Sequence, residues 1–422
     1  MGIKLRLIAA RAFATARWRQ HVLHNRRRIE RFQRYRLHRL AADACSALPF
    51  YRRFSELPFT SLPIIDKSIL LANFAGMNRA RLDVDSVRSA LADGQERVGH
   101  LVIGQSTGTS GNRGYYVISD EERFVWLGTI LAKALPDALW RRLRVAIAMP
   151  GLSSLYRSAS TGSRITLAFF DTARGVESWA DELAAFAPDA IVAPPKVLRW
   201  LAENGRLNAS RIFSGAEILD PLDRTIIETA TGRKVREIYM ATEGLFGVGC
   251  AHGVLHLAED VVHFEWEQPD PGSPLRTPIV TDFTRRTQAM IRYRMNDLLE
   301  LADEPCPCGS PFQAVRRIVG RQDDTFLMST EDGARRMVTP DVLRNAVVDS
   351  HIAIEDFRIV QTAADVIVVT LADEVPAEVD ALVIAGLGRR LGELGIVASI
   401  DVTRGLSVPF DSKLRRVRRA CD

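Results

Sequence analysis

The chain of 422 residues has no run of 18 apolar residues, which excludes a membrane-spanning helix. Its glycine-rich run, 104–114, is not followed by Gly-Lys-Ser/Thr, so it is not a Walker A loop. No Ser-His-Asp or Cys-His pattern marks a nucleophilic hydrolase. Cysteine is scarce at five residues, two of them in the tight pair Cys306-Pro-Cys308, so a disulfide scaffold is excluded. A reducing cytoplasm is the expected compartment. The opening apolar stretch is interrupted by Arg11 and Arg17 and lacks a signal-peptide core. There is no internal repeat and no low-complexity segment. What remains is an ordinary globular composition, 47% hydrophobic and 25% charged, with length for two or three domains.

Charge is unevenly spread. Residues 1–53 hold Lys4 and thirteen arginines against only Glu30 and Asp43. Within 26–39, Ile29, Phe32, Tyr35 or Arg36, and then Leu40, recur near one face of a helix. A basic, solvated helix packed on the main body is the expectation. Peripheral contact of the N-terminus with an anionic membrane, or binding of nucleic acid, is the sharper alternative. No specific nucleic acid is expected.

Strand-like and helix-like segments alternate through the middle. Residues 121–136 read as a helix, and the apolar core of 145–149 as a buried strand. Strand 164–171, helix 173–186, strand 188–195, helix 196–205 and strand 210–218 follow, which is the order of an α/β body. Segments 49–54 and 61–70 read as turns, and 261–267 as a β segment. A domain boundary is expected near 320–325, where Gly-Arg precedes two acids. Beyond it, about 100 residues suffice for a small domain. It would contain strands 356–361 and 364–371, a helix at 378–393 and a basic end, 413–419.

Several groups can carry chemistry. The run from Ser106 to Gly114 packs Thr107, Gly108, Thr109, Ser110 and Gly111 between two short apolar segments, 100–104 and 115–119. Such a loop directs backbone N–H groups and hydroxyls at one point, as phosphate-binding loops do, although a plain surface turn has the same composition. Glu243 beside Thr242, ahead of a glycine-rich turn, offers a carboxylate for Mg²⁺ or is an exposed loop residue. Asp297 either pairs with Arg292 or Arg294 or accepts a ligand's hydroxyls. Cys250, His252, His256, Cys306 and Cys308 supply a structural zinc set or unligated thiols in a turn. Lys413 sits in a polar turn near the end.

In this order the segments resemble the AMP-forming acid ligases, most closely the phenylacetate-CoA ligase and coenzyme F390 synthetase-like branch. The likeness covers nearly the whole chain through 106-STGTSGNRG-114, 214-SGAEIL-219, 239-YMATE-243, 292-RYRMNDL-298 and 320-GRQDD-324; 49–54 and 59–70 also resemble the start of that branch. It implies an α/β fold. A large N-terminal domain of mixed sheets and helices, 1–320 with a basic helical start 1–53, would be followed by a small mobile α+β lid, 321–422. It implies that Ser106 to Gly111 and Arg113 cradle ATP phosphates and that Ser214, Gly215, Ala216, Glu217 and Tyr239 border the adenine side. Thr242 would touch the α-phosphate, Glu243 hold Mg²⁺, Asp297 bind the ribose, and Arg321 lie near the nucleotide. Asp323 would be the hinge, and Lys413 the late lysine of adenylation. Cys250, His256, Cys306 and Cys308 match the branch's zinc knuckle, leaving His252 without a part. The implied activity is conversion of an aromatic or hydrophobic carboxylic acid to its acyl-adenylate. The acyl group then passes to coenzyme A, or to an amine; AMP transfer to a hydroxyl is a further alternative. Asn112-Arg113 departs from the family's usual Lys-Pro, which leaves a weakly catalytic nucleotide binder as a rival reading.

Overall fold

The computed structural model describes residues 3–106, 114–150, 164–408, 410 and 413–421. A twelve-stranded sheet dominates it. Along one half, Ile165–Asp171, Leu143–Met149, Ala190–Ala193, Arg211–Ser214 and Val235–Ala241 lie side by side, all parallel. These strands are short apolar runs, as expected where helices cover a parallel sheet. From Val235–Ala241 onward the pairing turns antiparallel, through Gly244–Gly249, Leu255–Leu257, Ala314–Arg321, Asp297–Leu301, Leu275–Asp282 and Val262–Glu267. In a separate hairpin Leu101–Gln105 pairs with Tyr115–Ile118, so the glycine-rich run of the sequence does join two strands.

Helix Asp120–Ala134 starts with a full capping box, in which Ser119 and Glu122 bond each other's backbone N–H groups. The N-terminal helix Ile3–Val22 packs on it, burying Phe13 and Ala16. Their close approach depends on Gly128, where an added Cβ would stand 2.1 Å from the carbonyl oxygen of Ala9. The basic helix Arg26–Ala47 is capped by Asn25 and buries Ile29 and Gln33 against the body, where Gln33 donates to the Glu259 carbonyl. The inner face is thus a packed one, as expected. No helix among the described residues is long and apolar enough to cross a membrane.

Three local expectations fail. Pro49–Arg52 is a short helix rather than a turn, and Lys67–Ala72 is a helix capped by Asp66. Proline at a first helical position and aspartate at an N-cap both favour that outcome. The helix expected over 173–186 is confined to Ala180–Phe186, because Gly175 (φ 80°) breaks the chain into two 3-10 turns before it.

After Ala314–Arg321 and the turn Gln322–Asp324, the chain builds a second core around Phe357, Ile359, Val369, Val383 and Leu387. Its four-stranded sheet runs Ser399–Thr403, Val366–Leu371, Phe357–Ala363, Val417–Arg419, backed by helices Pro340–Val348 and Val379–Gly392.

Candidate active site

A cleft of about 600 Å³ opens where the parallel strands Arg211–Ser214 and Val235–Ala241 end, bounded on the far side by Lys413, Leu414 and Arg415. The carboxyl ends of parallel strands are where α/β sheets bind ligands, since the loops there diverge and leave a crevice. Ser106, Ser214, Ala216, Glu217, Tyr239, Thr242, Glu243, Asp297, Arg321, Asp323 and Lys413 all line this cleft. Gly215 lies just behind it, against Val192 and Ile238. The sequence positions Thr107, Gly108, Thr109, Ser110, Gly111 and Arg113 fall outside the described residues, and so does Asn112.

Strand Arg211–Ser214 ends in a sharp bend at Ala216, whose φ of 67° is uncommon for a residue with a side chain. The bend lets the chain reverse and present Glu217. Burial pushes the Glu217 carboxyl up, against the pull of Lys196, whose ammonium is 3.3 Å away and equally buried. Ser214 lines the cleft, and its buried Oγ has no hydrogen-bond partner among the described residues.

The next strand delivers Tyr239, and its end delivers Thr242 and Glu243. Thr242 Oγ1 donates to Glu243 at 2.8 Å, and the Tyr293 hydroxyl also bonds this carboxylate. Glu243 does not precede a glycine-rich turn, as the sequence suggested, but a strand, Gly244–Gly249. Gly244 is required for another reason: a Cβ there would lie 2.6 Å from a carboxylate oxygen of buried Asp282.

Asp297 does not pair with Arg292 or Arg294. Those arginines alternate along the chain as Glu265 and Glu267 do, and the closest N···O distances are 2.9 Å and 2.6 Å. Asp297 instead faces Arg321, its Cα partner across the antiparallel ladder, at 3.8 Å, and accepts a 2.8 Å hydrogen bond from the Tyr239 hydroxyl. Burial raises its carboxyl above the usual range, while Arg321 and Tyr239 pull it back. Burial likewise lowers Lys413, helped by Arg321 and opposed by Glu217 and Asp297. Asp323 accepts from Asn296 at 2.6 Å at the edge of the cleft.

Sequence reasoning missed Asp66, Lys67 and Tyr293, which also line the cleft. Lys67 stands at the start of a helix whose cap, Asp66, accepts from Ile69 N–H at 2.8 Å. Its Cε is 3.5 Å from where a Cβ on Gly114 would sit, so a second cation borders the root of the glycine-rich run. The Asp-Lys pair after a proline-rich stretch carried the signal as a helix start. Among the described residues, segments 189–196 and 244–248 do not line the cleft. Gly244–Gly249 is paired on both sides and fully buried, with the Phe246 ring 5.2 Å from that of Tyr239.

Away from the cleft, the ligand atoms of Cys250, His256, Cys306 and Cys308 lie within 4.8 Å of one another. Cys250 and Cys306 Sγ are 3.7 Å apart, and Cys308 Sγ is 3.3 Å from His256 Nε2. Metal–sulfur bonds of about 2.3 Å in a tetrahedron require a similar sulfur–sulfur edge. His256 Nδ1 bonds the Phe312 carbonyl at 3.0 Å, which fixes the ring and turns Nε2 to the thiols. Burial pushes the Cys308 thiol up to about 12 and lowers His256. A cation among these groups would reverse the first effect and use the neutral imidazole. His252 is not in the cluster.

No family model matches the chain. The phenylacetate-coenzyme A ligase of Thermus thermophilus is 28% identical over 162 residues, 34% of this chain and 36% of that protein. Protein CapK of Staphylococcus aureus is 30% identical over 171 residues, 37% of each chain. The aligned region therefore spans little more than a third of either relative. The solved structure of 2-hydroxyisobutyryl-CoA ligase, in its postadenylation state with 2-HIB-AMP, matches with a TM-score of 0.67 at 21% identity, covering 92% of this chain and 88% of that one. In sequence the chain is similar, over about a third of its length, to a phenylacetate-CoA ligase, and in fold to solved AMP-forming CoA ligases. Its fold is theirs, mixed α/β with a large sheet. Segments 214–219, 239–243, 292–298 and 320–324 of the ligase pattern each contribute residues to one cleft.

Proposed function

We propose that the protein activates a carboxylic acid with ATP and hands the acyl group to an acceptor, coenzyme A. The supporting observation is the convergence of Thr242, Glu243, Asp297, Arg321 and Lys413 on one cleft, although Lys413 is remote from the others in sequence. A carboxylate oxygen of the acid attacks the α-phosphorus of ATP, the bond to the bridging oxygen breaks, and pyrophosphate leaves. The acid is its own nucleophile, so no general base is needed. Negative charge gathers on the α-phosphate oxygens, where a part-buried ammonium at Lys413 is worth more than in water. Asp297, held by Tyr239, accepts hydrogen bonds from ribose hydroxyls. Mg²⁺, which neutralises phosphate charge, would be held by Glu243 and the phosphates themselves. In the second half-reaction a thiolate attacks the acyl carbon and AMP leaves. An amine acceptor would leave the first half unchanged. AMP transfer to a hydroxyl would need a different second step.

Zinc belongs to the same proposal as a structural ion at Cys250, His256, Cys306 and Cys308, outside the chemistry. The acid is proposed to be aromatic or hydrophobic on the likeness to the phenylacetate-type relative.

The test is acid-dependent exchange of labelled pyrophosphate into ATP across a panel of carboxylic acids, repeated with coenzyme A and with amines. Exchange with at least one hydrophobic acid, and its conversion to a thioester, are expected. Folded protein that exchanges with none of them would refute the proposal.

A further inference from the structure

The N-terminal helices hold a charge that the ligase chemistry does not use. Residues 1–53 carry fourteen basic and two acidic side chains, a net of +12. The whole chain carries 56 and 51, which leaves 42 basic and 49 acidic side chains elsewhere, a net of −7. A modestly basic protein is therefore an acidic body with a strongly basic helical start.

Many arginines are held by acids, Arg26 of the basic helix among them through Glu259, but a row on that helix is not. In the body, Arg211, Arg224, Arg292, Arg294, Arg317 and Arg344 are each held in ion pairs. On helix Arg26–Ala47, Arg27, Arg31 and Arg34 recur every three or four residues, are all exposed, and make no ion pair among the described residues. The opposite face of this helix is the packed one, through Ile29 and Gln33. Tyr35 stands beside the arginines with 58% of its surface exposed. The preceding helix exposes Leu7 (64%) and Trp18 (62%), large apolar groups a soluble surface does not need.

From this we infer that the outer face of the N-terminal helices docks the protein on an anionic lipid surface. Clustered arginines seek lipid phosphates, while tyrosine and tryptophan suit the headgroup layer, where one end of the ring is wet and the other apolar. Exposed Leu7 and Trp18 favour lipid over a nucleic acid, for which cations alone would serve. The body's negative charge is repelled by the same surface, which orients the molecule with its helices inward. The inference is independent of the proposed reaction.

Co-sedimentation of the full chain with vesicles tests it. Binding is expected to vesicles of phosphatidylcholine with about a third phosphatidylglycerol, at physiological salt, and to be lost with phosphatidylcholine alone. The triple variant R27Q/R31Q/R34Q should bind about a hundredfold more weakly, from roughly fivefold per arginine. Trp18→Ala should weaken binding even at low salt, where charge alone still attracts. Circular dichroism and pyrophosphate exchange should match the parent, since none of these residues lines the cleft. Equal binding by the triple variant, or indifference to anionic lipid, overturns the inference. Retention on double-stranded DNA or RNA that is tighter than on anionic vesicles also overturns it, in favour of nucleic acid.

Discussion

Lys413 is carried to the cleft by the last strand of the chain. Strand Val417–Arg419 pairs in parallel with Phe357–Ala363, and Val417 is buried in the second core. The turn before that strand is thereby held over Asp297 and Glu217 instead of trailing in solvent. If its ammonium faces the α-phosphate, Lys413→Ala removes one charge contact made in the transition state. Adenylation should fall by about 10²–10³-fold, by analogy with loss of an oxyanion donor. Thioester formation from a ready-made acyl-adenylate should fall much less. Separate single-turnover rates decide this, and equal loss in both halves would remove the assigned role. A pH effect accompanies it. Burial and Arg321 lower the Lys413 pKa, so its charge is present at low pH and is lost as pH rises through that lowered value. The adenylation rate should therefore decline on the alkaline side earlier than an ordinary lysine, near 10.4, would cause. Lys413→Arg, if it supports turnover, should abolish that limb, because a guanidinium stays protonated.

At the scale of elements, the cysteine knuckle joins three pieces of chain whose strands are already neighbours in the sheet. Cys250 follows strand Gly244–Gly249, His256 lies in Leu255–Leu257, and the Cys306-Pro-Cys308 turn precedes Ala314–Arg321. Elemental analysis should give one zinc per chain. Chelation should lower the melting temperature, since an ion present at a thousandfold over its Kd contributes about 4 kcal/mol. Cys306→Ser should do the same without metal being added or removed. A metal-free protein of unchanged stability and activity would leave the four groups as a coincidence of turns. Residue type offered these four together with His252, because metal ligands are few and chemically distinctive, and only the likeness to the ligase branch set His252 aside. Short parallel strands such as Ala190–Ala193 were legible for a similar reason, as apolar runs bounded by helix signals. The partners of Asp297 were not, because register decides them. Only the ladder that sets Asp297 opposite Arg321, and sends Arg292 and Arg294 to the Glu265 and Glu267 side, reveals the pairing. The burial of 244–248 was hidden likewise, since it depends on which strands become neighbours.

For the whole molecule, the position of the second core over the cleft is held by a cluster of charges. Asp220 caps helix Pro221–Thr231 and is gripped by Arg344 Nε at 2.8 Å and Nη2 at 2.8 Å. Asp223, fully buried one turn later, receives Arg416 at 2.6 Å and 2.9 Å and Arg199 at 3.3 Å. Arg416 also donates to Asp356 at 2.7 Å, and Arg199 to the Glu355 carbonyl at 2.8 Å. Arg344, Arg416 and Glu355 of the second core thus interlock with Asp220, Asp223 and Arg199 of the body, while Asp356 braces Arg416 from its own side. Arg416 lies three residues after Lys413, so the interlock also fixes the lysine. Buried pairs of this kind add little net stability over apolar contacts, but breaking one member leaves a charge uncompensated. They suit a contact that must be specific in one arrangement and separable. Arg344→Gln should loosen that arrangement without touching the cleft. We expect a larger radius of gyration by small-angle scattering, slower adenylation, and unchanged thioester formation from supplied acyl-adenylate. A double-mutant cycle with Asp220→Asn should show a coupling of about 1–3 kcal/mol in the adenylation barrier. An unchanged radius together with equal loss in both half-reactions would mean that the charges merely stabilise the fold, and that another contact sets the position of the second core.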